Sequence, residues 1–138
     1  MPLLFLLDAN IVIAALKGHR EVRRRLEAEP AAALRLSTIV LGELEFGAEK
    51  SAYGDRNRAN LAALTGRIPV VGIDPETARC YGRIRAHLER QGTPIGANDT
   101  WIAAQSIAIG ATLVTDNLRE FSRVPDLRVE TWLTTPDT

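Results

Sequence analysis

The stretch LLFLLDAN, residues 3–10, decides how the rest of the chain reads. Five apolar residues in a row mark a strand buried on both faces, the kind found in parallel sheets covered by helices. The run ends at a carboxylate, Asp8, whose burial is costly unless a partner neutralises it. Asp8 or Asn10 would also suit the N-cap of a following helix, so this stretch alone leaves a purely structural role open.

Outward from this stretch, strands and helices alternate. The pattern predicts a strand over 3–7, helices over 10–16 and 21–29, a short strand over 34–36, and helices over 39–51 and 56–64. A strand over 70–73, helices over 75–90 and 98–109, and strands over 112–115 and 128–131 complete it. Pro75 after Asp74 is a helix start, and Gly110 after Ile109 is a stop. Such alternation predicts an α/β fold: a mainly parallel central sheet flanked by helices on both faces, with functional groups at the carboxyl ends of strands. With no repeat, low-complexity tract or Pro/Gly/Ser-rich linker, residues 1–138 read as one domain.

Composition narrows the function classes. A hydrophobic fraction of 46% with 25% charged residues excludes a disordered or fibrous chain. Seventeen basic residues balance seventeen acidic ones, so nucleic-acid binding would need a local basic patch. The one cysteine, Cys80, excludes an internal disulfide and a cysteine-clustered zinc site, and predicts a reducing, cytoplasmic setting. The apolar run before Asp8 has no basic flank and is too short for a signal peptide. No stretch reaches the roughly 20 apolar residues of a membrane span.

Four acids stand where acids are unexpected. Asp8 and Asp116 each follow an apolar strand. Glu43 falls within the apolar stripe of its helix, read as Ile39, Val40, Leu44 and Gly47, whereas Glu45 and Glu49 lie outside it. Asp99 opens a helix on the same face as Ile102, Ala103 and Ser106. Each has a bland alternative: a cap for Asp8, a favourable helix dipole for Asp99, a turn for Asp116. Together, with no lysine or arginine on the same stripes, they would repel one another unless a cation sits among them. Carboxylate oxygens without a His or Cys cluster favour Mg²⁺, with Mn²⁺ a substitute, and such a centre suits phosphodiester hydrolysis by an activated water.

The segments FLLDANIVI, STIVLGELEFGAEKS, TPIGANDTWIAAQS, LVTDNLREFSRVPDL and RVETW, in this order, resemble the PIN-domain ribonucleases, specifically VapC-type toxins. The resemblance implies a PIN-like fold and an acidic quartet of Asp8, Glu43, Asp99 and Asp116. Asp8 and Asp99 would be the direct metal ligands, with Glu43 and Asp116 acting through water. Asn10 and Asn117 would support them. Two departures stand out: Ala9 replaces the more usual Thr, and Asp116 stands where relatives often carry Asn. The resemblance also implies a homodimer, a VapB-type antitoxin whose tail fills the active-site groove, and an RNA substrate, transfer RNA foremost.

For RNA contacts, Lys50, Arg119 and Arg123 lie on the motif segments. The basic runs GHREVRRRLE and YGRIRAHLER read first as solvated helix faces with i,i+4 partners. Trp101 and Trp132 read as packing before base stacking, and Phe46 and Tyr53 as a partner surface. A haloacid-dehalogenase-like phosphatase needs a carboxylate where Asn10 stands. A non-catalytic PIN-fold module that binds RNA or antitoxin is the alternative that survives.

Overall fold

The computed structural model describes residues 3–133. Five short strands, β1 (Phe5–Leu7), β2 (Leu34–Ser37), β3 (Val70–Val71), β4 (Thr112–Val114) and β5 (Val129–Glu130), form one sheet in the order β3-β2-β1-β4-β5. Every neighbouring pair is parallel, with Phe5 opposite both Leu34 and Thr112. Seven helices connect them: α1 (Ala9–Leu16), α2 (Arg20–Ala28), α3 (Thr38–Lys50), α4 (Gly54–Thr65), α5 (Pro75–Arg90), α6 (Ala97–Ala108) and α7 (Leu118–Phe121). The α/β expectation holds, and among the described residues the sheet carries no antiparallel strand.

The sheet order fixes the two helical layers. From β1 the chain moves outward through β2 to β3, then returns across the sheet to β4 and β5. Right-handed crossovers therefore place α1 to α4 on one face and the helices that follow β3 on the other. Phe5, Leu6, Leu7, Leu36, Leu113 and Val114 are all fully or almost fully buried, as strands covered on both faces require. Trp132 is buried edge-on against Phe5, ring centroids 5.5 Å apart, so it is core. Trp101 stacks on Tyr81 at 3.8 Å, joining α6 to α5.

Local signals account for several boundaries. Helix α5 has the predicted limits because the Asp74 carboxylate accepts from the Thr77 amide and hydroxyl, both at 2.8 Å, and Pro75 begins the first turn. Gly110 adopts φ +70°, the left-handed conformation that closes α6. Four strands are shorter than predicted, β1 spanning Phe5–Leu7 rather than 3–7 and β3 Val70–Val71 rather than 70–73, whereas β2 runs one residue longer, to Ser37. Two elements were not expected, a 3₁₀ turn at Ala31–Ala33 and the four-residue α7, both too short to develop a hydrophobic period. On α3 the buried stripe is Val40, Leu44 and Ala48; Gly47 is exposed, because the stripe continues by four residues rather than three.

Candidate active site

Chain order reverses between β1 and β4, the switch point at which α/β sheets open a crevice beyond their carboxyl ends. Asp8 ends β1 there, and Thr115 to Asn117 follow β4. The Asp8 amide continues the ladder by donating to the Val114 carbonyl at 2.9 Å, so the two strand ends stay in register.

Asp8 is 5% exposed, so the carboxylate that ends the apolar run is buried. It is the N-cap of α1, its Oδ1 accepting from the Ala9 amide at 2.8 Å. Its Oδ2 accepts from the Thr115 hydroxyl at 2.8 Å and from the Asn10 side-chain Nδ2 at 3.3 Å. Burial pushes the Asp8 carboxyl above the usual aspartate range and the Asp116 charge adds to this, while the three hydrogen bonds pull the other way.

Thr115, fully buried, is the hub that ties β4 to this carboxylate. Its hydroxyl donates to Asp8 and accepts from the Asn117 amide at 3.0 Å and the Asn10 side chain at 3.3 Å. Asn10 Oδ1 in turn accepts from the Asp116 amide at 3.1 Å. Asn10 therefore braces Asp8 against the β4 turn, and the Asp116 side chain is left exposed. Asn117 points elsewhere: as the N-cap of α7, it donates from Nδ2 to Glu120 Oε2 at 2.9 Å.

Glu43 comes from α3, whose N-terminus is capped by the buried Ser37 hydroxyl through the Ile39 amide. It is half-buried, and burial raises its carboxyl, with Asp8 contributing repulsion and a hydrogen bond from Asn98 opposing it. That bond, Asn98 Nδ2 to Glu43 Oε1 at 3.3 Å, links α6 to α3 across the crevice. Asp99, on the first turn of α6, is pushed up to about 6 by burial and then by the charges of Asp8, Glu120 and Glu43.

Asp8, Glu43 and Asp99 thus share one electrostatic neighbourhood, and Asp116 joins it through Asp8 alone among those shifts. Glu120 belongs to it as well and was missed in sequence. Its one signal was the N-x-x-E spacing from Asn117, a helix-start pattern. Thr115 was missed because a threonine at a strand end carries no distinctive mark. Among the described residues no lysine, arginine or histidine forms an ion pair with any of these acids.

The donor set tests whether a metal fits. It is all carboxylate oxygen, uncompensated by bases, which suits a hard divalent cation. Among the described residues no three His, Cys, Asp or Glu side chains are gathered closely enough to hold an ion between them. Mg²⁺ suits such a site, since it commonly takes only one or two carboxylates and leaves its other positions to water and phosphate.

Of the basic residues singled out in sequence, Lys50 lies over the Phe46 ring at 5.1 Å and Arg123 donates to the Pro94 carbonyl at 3.3 Å. Arg119 is exposed. The basic runs behave largely as helix faces: Arg24 pairs with Glu21 and Arg85 with Glu89, and His19 caps α2 by accepting from the Val22 amide. Phe46 and Tyr53 are exposed, at 64% and 72%. No helix among the described residues is long and apolar enough to cross a membrane.

Comparison with known proteins agrees with this geometry. The PIN domain family model matches residues 5–127, a span that includes every acid described above. The chain is 40% identical over 129 residues to the tRNA(fMet)-specific endonuclease VapC of Salmonella typhimurium, covering 93% of this chain and 97% of that protein. It is 41% identical over 130 residues to ribonuclease VapC2 of Haemophilus influenzae, covering 94% and 98%. Among solved structures, DNA-bound VapBC from Salmonella typhimurium superposes with a TM-score of 0.89 at 40% identity, covering 94% of this chain and 98% of that one. VapBC2 from Rickettsia felis, bound to a promoter DNA fragment, gives 0.88 at 35% identity, covering 94% and 99%. A parallel five-stranded sheet with its acids at the switch point and full-length similarity to these proteins lead to one conclusion: the chain belongs to the PIN-domain family, among the VapC ribonucleases.

Proposed function

We propose that this chain is a Mg²⁺-dependent endoribonuclease, the toxin half of a toxin–antitoxin pair, which hydrolyses phosphodiester bonds of structured RNA, with transfer RNA as the substrate class. One observation carries the reading: Asp8, Glu43 and Glu120 come from separate elements to bear on Asp99, each raising its carboxyl by repulsion, and among the described residues no base is ion-paired with any of the four. The names of the relatives support RNA as substrate, and the tRNA(fMet)-specific endonuclease supports transfer RNA.

Asp8 and Asp99 would hold the ion, Mg²⁺ or Mn²⁺, with Asp116 acting through water. When bound, the ion supplies a water of lowered pKa, neutralises the phosphate and stabilises the leaving oxygen. The protein's own groups do the rest. Thr115 and Asn10 hold Asp8 Oδ2 in place, and Asn98 fixes Glu43 through Oε1. Glu43 Oε2 is then available to take a proton from the attacking water, a role helped by its raised proton affinity. Asn117 steadies Glu120 beside Asp99.

A VapB-type antitoxin is the proposed partner, in keeping with the VapBC complexes among the structural neighbours. A trough of about 260 Å³ with Glu43 on its wall, lined by Ile13, Leu16, Leu44 and Leu61, suits the apolar side chains of such a segment. The reading includes a homodimer in the cytoplasm, the former checked by sedimentation of the purified protein.

The test is incubation of antitoxin-free protein with total cellular RNA in Mg²⁺, in EDTA, and with Asp8→Asn alongside. Discrete fragments from wild type with metal alone are expected. A folded, metal-loaded protein that cuts neither transfer nor ribosomal RNA would instead support the non-catalytic binding module.

A further inference from the structure

We propose that the cleft between α2 and α4, at the C-terminal end of α1, is a phosphate-binding subsite for the RNA strand; the proposal rests on the ribonuclease reading above. Arg23 from α2, Arg56 from α4 and Arg67 from the turn after α4 line a single cleft of about 440 Å³. Among the described residues none of the three has a carboxylate within ion-pair distance, whereas Arg24, Arg25, Arg58, Arg79 and Arg85 all do. Glu27 is the one acid on the wall among the described residues, so positive charge is in excess there. Like charges gathered without counter-charge favour a polyanion that displaces their diffuse ions.

Arg23 is prepared for such a ligand. Its Nε donates to the Ala15 carbonyl at 2.9 Å, which anchors the guanidinium to the end of α1 and leaves the terminal nitrogens for a phosphate. The position fits a strand that is cut at the carboxylates. Asp8 caps one end of α1 and Ala15 and Leu16 close the other, a separation of about 12 Å along an eight-residue helix. The trough that reaches Glu43 shares Leu16 and Asn60 with the arginine cleft, so the two adjoin.

Electrostatics favours RNA as the occupant. The chain carries no net charge and its catalytic edge is acidic, so attraction for a polyanion must come from a local basic feature. This cleft supplies one beside the trough that has Glu43 on its wall. An acidic protein segment would also suit three arginines, and the experiment separates the two.

Binding of a fluorescein-labelled single-stranded RNA dodecamer is measured in EDTA across a salt series, for wild type, Arg56→Ala/Arg67→Ala and Arg56→Glu/Arg67→Glu. Circular dichroism confirms that both exposed double variants fold. The alanine pair should bind about tenfold more weakly, with the slope of log K against log salt reduced by about 1.4, or 0.7 per lost phosphate contact. Charge reversal should weaken binding further. In Mg²⁺, kcat/KM on long RNA should fall in both variants while cleavage of a dinucleotide, too short to reach the cleft, stays at the wild-type rate. Unchanged affinity and slope, with wild type still cutting RNA, would overturn the subsite and leave the ribonuclease reading intact. Wild type that neither binds nor cuts RNA would overturn both. Arginine-dependent binding of a hexaglutamate peptide, with RNA binding unaffected by the substitutions, would assign the cleft to a protein partner instead.

Discussion

Asp99→Asn should make the metal-free protein more stable at neutral pH. Moving an aspartate from its ordinary 3.8 to about 6 corresponds to an upper limit of ~3 kcal/mol of unfavourable interaction in the ionised form. Asp99 is only half-buried, so solvent screening reduces this to about 1 kcal/mol. Among the described residues no side-chain or backbone donor holds the Asp99 carboxylate, and burial and repulsion are the causes of its shift. The isosteric amide therefore removes repulsion without breaking a bond. For a domain of this size the gain is about 4 °C in Tm. The sign with pH follows from linkage: between about 4 and 6 the folded chain binds a proton at Asp99 that the unfolded chain releases, so wild-type stability rises as pH falls from 7.5 to 5. Burial and repulsion raise Asp8 and Glu43 in the same sense. Asp74, whose carboxyl is lowered by its capping bonds, loses its contribution only in stronger acid. Thermal melts in EDTA and low salt at pH 7.5 and 5.0 are the assay. Asp99→Asn should melt higher than wild type at pH 7.5 and gain less on acidification. A variant that melts below wild type at pH 7.5 would refute the repulsive cluster and make Asp99 a structural acid.

Millimolar Mg²⁺ should raise the wild-type Tm and do so far less in Asp8→Asn, since a cation relieves the same repulsion; equal shifts by differential scanning fluorimetry would place the ion elsewhere. Thr115→Val, which removes the hydroxyl between Asp8 and Asn117, should cost about 1–2 kcal/mol in urea unfolding and slow RNA cleavage; unchanged values would show that the hub is dispensable. Glu120→Gln, which removes the negative charge beside Asp99, should reduce cleavage with the fold intact, and Asp116→Asn should reduce it less; initial rates on one transfer RNA decide the order.

Much of this protein is legible from local sequence because its strongest signals are local. The apolar run ending at Asp8, the Asp74–Pro75 start of α5 and the Gly110 stop after α6 are each set by neighbours within a few residues. They suffice for an alternating α/β order and for the expectation that acids after strands lie at one sheet edge. Glu43 and Asp99 were likewise visible as acids on apolar faces, because helical period relates residues three and four apart.

Tertiary structure decided what depends on residues distant in sequence. The Thr115–Asp8 bond spans 107 positions and exists only because β4 pairs beside β1. Glu120 enters the acidic group from a helix of four residues, too short to show which way it faces. Asn10 and Asn117, adjacent in the reading as paired supports, serve different acids once the β4 turn is formed. The arginines at 23, 56 and 67 share no motif, and only the packing of α2 and α4 around the end of α1 brings them to one cleft. Local propensity acts along the chain, whereas charge and hydrogen bonding act through space. The elements were therefore readable in order, but the choice of which charged groups face one another belonged to the fold.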